Sequence, residues 1–316
     1  MDGRWRIELL GWLRAARGDQ VVSRFPTQKT GALLAYLAFY RHRSHPRDLL
    51  IELLWSGCDR DAGRNKLRKA LTALRHQLGP PVPTVGAGIA SEGVLIADRD
   101  VVQLNPAVVS TDVMEMERLV QAADRARGAA EREERLTEAV ERYRGELLPG
   151  YLDAWIMPER RRLAEAFMEA LHQLATLREQ AGDLAGALQF AHRAVSADPL
   201  GEDGRGDLIR LLAAAGQPAA ALQQYQELER LLAREFGAAP APETRDLAAG
   251  IRPRPAPLPT GARQAGPVRA GLAPSSSSHL PSNRVDPVRP GKAPSQSPPT
   301  GTVTFDVNGQ PIPGPV

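Results

Sequence analysis

The pattern of apolar and polar residues predicts helices over most of the chain, and the helix over residues 62–78 has two chemically different faces. Its apolar stripe consists of Leu67, Leu71, Leu74 and Leu78. The opposite side carries Asn65, Arg68, Lys69, Thr72 and His76, with Arg64 and Arg75 on the flanks. No acidic residue occurs in this stretch. The pattern therefore predicts a buried leucine stripe beneath a basic, amide-containing outer face.

This outer face is typical of nucleic-acid contact. A solvated helix face normally mixes both charge signs, whereas an acid-free basic face favours a polyanion partner. Arg, Lys, Asn and Thr are also side chains that bind base edges and phosphates in a major groove. The helical wheel predicts base contacts for Asn65 and Arg68, and mainly phosphate contacts for Lys69, Arg75 and His76. Taken alone, the same pattern also fits a basic surface helix that binds nothing.

The segments around this helix predict a winged helix-turn-helix. Residues 5–22 alternate in part and predict a small antiparallel sheet, and Thr27 is expected to cap a helix that ends near Arg41. A short helix over 48–55 is predicted to turn Leu49, Leu50, Leu53 and Leu54 inward. Apolar runs at 94–97 and 101–104 predict a hairpin. In this arrangement the second helix of the pair enters the major groove, and Arg99 at the hairpin tip is expected to reach a minor groove.

A repeat of 34 residues, the tetratricopeptide period, becomes visible in the second half of the chain. Leu174 corresponds to Leu208, and Gly182 corresponds to Gly216. Two copies alone are too few for independent stability, so helices at 111–126, 131–144 and 158–170 are expected to complete the solenoid.

Charge is divided unevenly along the chain. Residues 1–105 carry 16 Lys and Arg against 10 Asp and Glu, whereas residues 106–251 carry 17 against 25. Residues 252–316 are rich in Pro, Ser and Gly and are predicted to be disordered. We therefore divide the chain into a DNA-binding domain (1–105), an all-α tetratricopeptide-like domain (106–251) and a tail (252–316). The fragment 1–105 is expected to bind DNA by itself.

The sequence contains no pattern that indicates an enzyme. A single cysteine, Cys58, excludes an intramolecular disulfide and a CxxC site. His42 and His45 lie beside arginines and are interpreted as phosphate contacts or solvent-exposed residues rather than metal ligands. We expect no catalytic residues, no metal, no cofactor and no small-molecule substrate. The tryptophans Trp12, Trp55 and Trp155 are predicted to be core or helix-packing anchors.

Several motifs in sequence order resemble the Streptomyces antibiotic regulatory protein family. The motifs of the first half are Leu-Leu-Gly-x-Leu-Arg-Ala at 9–15, Gly-Ala-Leu-Leu-Ala-Tyr-Leu-Ala at 31–38, Leu-Ile-Glu-Leu-Leu-Trp at 50–55 and Arg-Asn-x-Leu-Arg-x-Ala-Leu-x-x-Leu-Arg at 64–75. The second half, with Glu-Leu-Leu-Pro-Gly at 146–150 and Ala-Asp-Pro-Leu at 197–200, resembles the bacterial transcriptional activator domain. The resemblance covers about residues 5–250.

The resemblance implies an OmpR/PhoB-type winged helix followed by a tetratricopeptide-like domain. It further implies an activator that binds direct repeats in promoter DNA, with two protomers head to tail, and that recruits RNA polymerase. The loop 57–61 is one expected polymerase contact by this analogy. A cytoplasmic location follows, because no apolar run reaches the length of a membrane span and no signal peptide is apparent. The alternative is a tetratricopeptide adaptor whose N-terminal domain does not bind DNA.

Overall fold

The computed structural model describes residues 4–79 and 93–251, in which short strands surround the first three helices and a helical array follows. The strands are β1 (Trp5–Glu8), β2 (Arg14–Arg17), β3 (Gln20–Val22), β4 (His45–Pro46), β5 (Leu95–Ala97), β6 (Val101–Leu104) and β7 (Val109–Thr111). The helices are α1 (Gln28–Phe39), α2 (Arg47–Trp55), α3 (Arg60–Leu78), α4 (Asp112–Arg125), α5 (Ala129–Arg142), α6 (Ile156–Gln180), α7 (Leu184–Ala197), α8 (Glu202–Ala214), α9 (Pro218–Phe236) and α10 (Pro242–Gly250). The predicted disordered tail, residues 252–316, lies outside the described residues.

The predicted N-terminal sheet contains one strand more than expected. Strands β1, β2 and β3 pair antiparallel as predicted, and β7 adds to the free edge of β1 in parallel orientation, with Trp5 opposite Val109. The carboxylate of Asp112, the first residue of α4, accepts hydrogen bonds of 2.9 Å from the backbone N–H groups of Leu9 and Leu10. The sheet thus extends across the predicted domain boundary at residues 105 and 106.

The predicted hairpin is present and has a third strand. Strands β5 and β6 pair antiparallel, with Leu95 opposite Leu104, and β4 pairs with the other edge of β6. This pairing buries His45, whose ring Nε2 lies 3.1 Å from the carbonyl oxygen of Tyr40. Burial lowers the pKa of His45. The interpretation of His45 as an exposed or phosphate-binding residue is therefore wrong, because β4 draws it into the core.

Helices α1, α2 and α3 pack around one apolar core, but α2 is rotated relative to the prediction. Leu50 and Leu54 are buried as expected, whereas Leu49 is exposed and Ile51 is buried in its place. The cause is the close approach of α3, since a Cβ atom at Gly63 would overlap Cγ2 of Ile51. The glycine allows the two helices to meet at Ile51 and so turns Leu49 outward.

Trp12 is another exception among the predicted core residues. Its side chain is exposed, and its indole Nε1 donates a 2.8 Å hydrogen bond to the carboxylate of Glu8. The guanidinium groups of Arg14 and Arg144 lie 5.8 and 5.7 Å from the ring centroid. Trp12 is therefore held at the surface between two cations. Trp5, at the start of β1, is the fully buried tryptophan.

The 34-residue repeat corresponds to two pairs of antiparallel helices, α6 with α7 and α8 with α9. The turns between the paired helices have the same backbone geometry. Gly182 and Gly216 both have positive φ, at 79° and 74°. The following residues, Asp183 and Gln217, each donate a backbone hydrogen bond of 2.9 Å to the carbonyl five residues earlier, as in a Schellman motif. The repeated glycine is thus required by the helix C-terminus.

Residues 144–155, the connecting segment, link α5 to α6 and contact the N-terminal sheet on the way. The N–H of Leu148 donates to the carbonyl of Leu9 at 2.8 Å. Lys29 of α1 forms an ion pair of 2.7 Å with Asp153, and the ring of Trp155 packs edge-on against Tyr36. One apolar cluster consequently runs from β1 through α6. The N-terminal sheet and the first helices of the array therefore share a core.

Candidate nucleic-acid interface

Helix α3 begins with a strong cap and has a fully apolar inner face. The carboxylate of Asp59 accepts hydrogen bonds from the N–H groups of Asp61 and Ala62, at 3.0 and 2.9 Å. The helix therefore starts at Arg60, two residues before the predicted start. All four leucines of the predicted stripe are buried: Leu67, Leu71, Leu74 and Leu78. The stripe prediction is confirmed, and it fixes which side of α3 faces solvent.

The seven predicted contact residues of α3 are all exposed, and we call them the recognition face: Arg64, Asn65, Arg68, Lys69, Thr72, Arg75 and His76. Two of them are hydrogen-bonded to each other, since Nη2 of Arg68 lies 3.0 Å from Oδ1 of Asn65. Arg64 lies 3.7 Å from Asp61 in an exposed ion pair, which costs little to break. These side chains are thus free to meet a ligand from solvent.

Arg99 projects from a tight turn at the tip of the hairpin. Oδ1 of Asp98 accepts backbone hydrogen bonds from Asp100 and Val101, at 2.7 and 2.8 Å. The bond from Val101 is the larger cause of a lowered pKa of Asp98. Arg47 anchors the turn from α2 by donating through Nε to the carbonyl of Asp98 at 3.0 Å. The turn is therefore fixed by its own side chains, with Arg99 exposed.

One groove brings the hairpin tip and α3 together. Four arginines line it: Arg47, Arg64, Arg68 and Arg99. Asp48 and Asp100 also line this groove, but the carboxylate of Asp48 is held 2.8 Å from Arg60, whose hydrogen bond lowers the pKa of Asp48. The groove is therefore net positive, and it places the predicted major-groove and minor-groove arginines side by side.

A second groove runs along the other side of α3, against the loop before α1. It is lined by Pro26 and by Arg68, Lys69, Thr72 and His76 of the recognition face. Arg68 borders both grooves and lies at the centre of the surface. The C-terminal end of α3 is anchored nearby, because Gln77 donates to the carbonyl of Arg24 at 2.8 Å.

The two grooves therefore bring together most of the predicted DNA-contact residues, but not all of them. Asn65 and Arg75 line neither groove, although Asn65 is joined to Arg68. Arg47 belongs to the surface and was not predicted. Arg47 follows the two-residue strand β4, which is too short to show an alternation of apolar and polar residues in the sequence. The only sequence feature that indicated Arg47 is its position next to the predicted start of a helix.

Within residues 4–79 and 93–251, no group of three or more His, Cys, Asp and Glu side chains is arranged to hold a metal ion. In the same residues, no helix is long and apolar enough to cross a bilayer.

Comparison with known proteins identifies the second half of the chain. The family model of the bacterial transcriptional activator domain matches residues 111–252. Regulatory protein AfsR of Streptomyces coelicolor is 29% identical over 251 residues, and that of Streptomyces griseus is 26% identical over 245 residues. The matches cover 78% and 77% of this chain. Residues 111–252 therefore form a bacterial transcriptional activator domain, and the AfsR relatives support the resemblance of the chain to the Streptomyces antibiotic regulatory protein family.

A solved structure supports the fold of this chain. EmbR of Mycobacterium tuberculosis, determined in complex with a low-affinity phosphopeptide, matches with a TM-score of 0.60 and 26% identity. The match covers 78% of this chain and 65% of the EmbR chain. The predicted fold class, an α+β winged helix-turn-helix followed by an all-α tetratricopeptide-like region, is confirmed. The chain spans about a quarter of the length of the AfsR relatives, at 24% of each.

Proposed function

We propose that this transcription regulator binds double-stranded DNA sequence-specifically through α3 and the hairpin tip. In this proposal, Arg68 and Asn65 contact bases, while Lys69, Arg75 and His76 contact phosphates. Arg64 and Thr72 complete the major-groove surface, and Arg99 enters the adjacent minor groove. The observation that carries the proposal is the groove in which Arg64, Arg68 and Arg99 converge beside the recognition face, whose seven exposed residues include no acid.

The position of Arg68 supports a role in base reading. It borders both grooves beside α3, and its guanidinium is oriented by the amide of Asn65 at 3.0 Å. An arginine at the centre of an exposed helix face is suited to bidentate contact with guanine O6 and N7. Lys69 and His76 line only the second groove, beside Pro26, which suits contact with a phosphate backbone.

We further propose that the protein activates transcription by recruiting RNA polymerase in the bacterial cytoplasm. Two protomers would occupy direct repeats head to tail, about one helical turn apart. The exposed loop 57–61 between α2 and α3 is one proposed polymerase contact, and the helical region 106–251 is the other. The functional division of the chain at residue 105 remains a prediction, and so does the assignment of no catalytic role.

The competing function is a protein–protein adaptor. The net charge of residues 106–251, with 17 basic against 25 acidic side chains, suits that function. The recognition face favours DNA instead, because charged residues are depleted at the core of protein interfaces, whereas four of its seven exposed residues are Arg or Lys and none is acidic. DNA binding by the intact chain separates the two.

The test is fluorescence anisotropy of the full chain on a labelled duplex, over about 50 to 200 mM salt. The double variant Lys69→Ala/Arg75→Ala removes two proposed phosphate contacts. Its slope of log affinity against log salt should be shallower by about 2. The matched control, Arg234→Ala/Arg245→Ala, removes two exposed arginines of α9 and α10 and should leave the slope unchanged. No binding by the unaltered chain, or equal slopes in both variants, would favour the adaptor.

A further inference from the structure

A groove in the helical array is distinct from the DNA-binding surface. It lies between α6, α7, α8 and α10, and its volume is about 640 Å³. Its floor is formed by small and apolar side chains: Leu171, Ala175, Ala191, Ala194 and Leu247. Leu247 is half-buried, and Met168 beside it is also half-buried, so apolar atoms remain accessible at the floor. We call this surface the acidic groove, because six carboxylates line it.

Six carboxylates line the acidic groove: Glu165, Glu169, Glu202, Asp203, Asp207 and Glu243. Arg210 is the single arginine among the lining residues, and it is bound by Glu179 at 2.5 and 2.7 Å. The groove is therefore strongly negative. Nucleic acid would be repelled from it, and so would an acidic or phosphorylated peptide.

Three of these six carboxylates have hydrogen-bond partners, and three have none. Glu169 accepts a hydrogen bond of 2.8 Å from Nε2 of Gln173. Oε2 of Glu202 accepts hydrogen bonds from the N–H of Ala241 and the hydroxyl of Thr244, which fixes the start of α10. Asp207 lies 2.5 Å from the ring of His172. The other three carboxylates lie on three different helices at the rim of the groove: Glu165, Asp203 and Glu243. Within the described residues, 4–79 and 93–251, these three side chains have no hydrogen-bond or ion-pair partner. These charges are available to a ligand.

We propose that the acidic groove binds a basic peptide segment of a partner protein, in which Lys or Arg flanks one or two apolar side chains. Apolar residues would pack on the alanine-rich floor, and the cationic residues would pair with Glu165, Asp203 and Glu243. Along α6, the lining residues extend from Glu165 to Ala175, about 15 Å at the rise of an α-helix. That length accommodates about four or five residues of an extended chain or nearly three turns of a helix.

Gly206 offers a way to block the groove without disturbing the fold. It lines the groove from α8, and a Cβ atom placed there would meet no atom within 4 Å. Its φ is not in the left-handed region, so a side chain is tolerated. Leucine is also a better helix former than glycine. Gly206→Leu should therefore fill the groove while the array remains folded.

The test uses the full chain and a short fluorescent peptide that alternates lysine and leucine, with binding followed by anisotropy. A peptide with glutamate in place of lysine and a phosphoserine peptide serve as anionic probes. We expect the lysine peptide alone to bind, more weakly as salt rises. Gly206→Leu and the triple variant Glu165→Gln/Asp203→Asn/Glu243→Gln should each weaken binding at least about tenfold.

The matched control neutralises three exposed carboxylates outside the groove, as Glu131→Gln/Glu134→Gln/Glu229→Gln, and should change binding less than about twofold. Thermal unfolding of every variant verifies folding. The proposal is overturned if the unaltered chain binds no lysine peptide, if the anionic peptides bind equally well, or if a folded Gly206→Leu variant binds as the unaltered chain does. DNA binding serves as an independent measurement, and none of these outcomes alters it.

Discussion

The N-terminal region and the helical array are each stabilised by a different kind of contact. In the array, successive helices pack on one another, α6 on α7, α7 on α8 and α8 on α9. In the N-terminal region, β1 pairs with β7, which lies about a hundred residues further along the chain. The carbonyl of Leu9 accepts a hydrogen bond from the N–H of Leu148, which lies even further along the chain. The geometry of α3 therefore depends on chain segments far beyond the hairpin, whereas removal of one end of the array has a local effect.

The two regions also differ in the charge of the surfaces they expose. The recognition face carries basic and amide groups, and the acidic groove carries carboxylates on an apolar floor. A single chain therefore has two surfaces suited to partners of opposite charge.

Truncation should separate the two regions most clearly. A fragment of residues 1–105 lacks β7, Asp112 and the connecting segment, so Trp5 and Ile7 lose their cover. We expect this fragment to lose cooperative unfolding, contrary to the expectation from sequence that it binds DNA by itself. A chain ending at residue 240 lacks only α10 among the described helices and should unfold cooperatively. Urea denaturation followed by circular dichroism measures both unfolding transitions. Cooperative unfolding of the 1–105 fragment would contradict the claim that this region depends on later segments of the chain.

The inner face of α3 should matter for stability and the outer face should not. Leu71 is 1% exposed, so Leu71→Ala should lower the free energy of unfolding by about 2–5 kcal/mol through lost transfer energy and a cavity. Thr72→Ala, on the exposed side, should change it by less than about 0.5 kcal/mol. Chemical denaturation of both variants decides this, and equal effects would mean that the helix is oriented differently.

Asp112, which joins β1 to α4, should make stability depend on pH. Desolvation raises its pKa to about 6, against an ordinary value near 3.8, although hydrogen bonds from Leu10, Leu9 and Val113 act in the opposite direction. Because the pKa is higher in the folded state, the associated stability is present below about pH 4 and is lost as pH rises to about 6. The corresponding change in the free energy of unfolding is about 3 kcal/mol.

The variant Asp112→Asn does not titrate and isolates this contribution. The difference in unfolding free energy between the unaltered chain and the variant should change by about 2 kcal/mol between pH 4 and pH 6, and by about 3 kcal/mol between pH 3 and pH 7. Denaturant titrations at several pH values measure it. A difference that stays constant with pH would show that Asp112 ionises at its ordinary pKa.

Sequence alone predicted the elements whose signals are local. The leucine spacing gave the buried stripe of α3, and the repeated Gly182 and Gly216 gave the helix pairs of the array. Strands β4 and β7 were not predicted, because strands of two and three residues are too short to show an alternating pattern and their pairing partners lie far away in sequence. Trp12 was misassigned because a tryptophan held between arginines at the surface has the same sequence signal as a buried one.

The candidate site was predictable in its residues but not in its arrangement. Exposure of all seven residues of the recognition face followed from the helical wheel. The convergence of Arg99 with Arg64 and Arg68 depends on how the hairpin packs beside α3, and Arg47 enters the groove only through β4 and the turn at Asp98. The acidic groove is assembled from four helices, so no short motif reveals it.

The most direct test of base reading by α3 is the specificity ratio of Arg68→Ala. A duplex enriched from a random pool by the unaltered chain is compared with a scrambled duplex at one fixed salt concentration, using competition binding. Arg68→Ala should lose about 1–3 kcal/mol on the enriched duplex and much less on the scrambled one, so the ratio falls. Arg245→Ala, an exposed arginine of α10, should leave the ratio unchanged. Equal losses of Arg68→Ala on both duplexes would contradict base reading by this face.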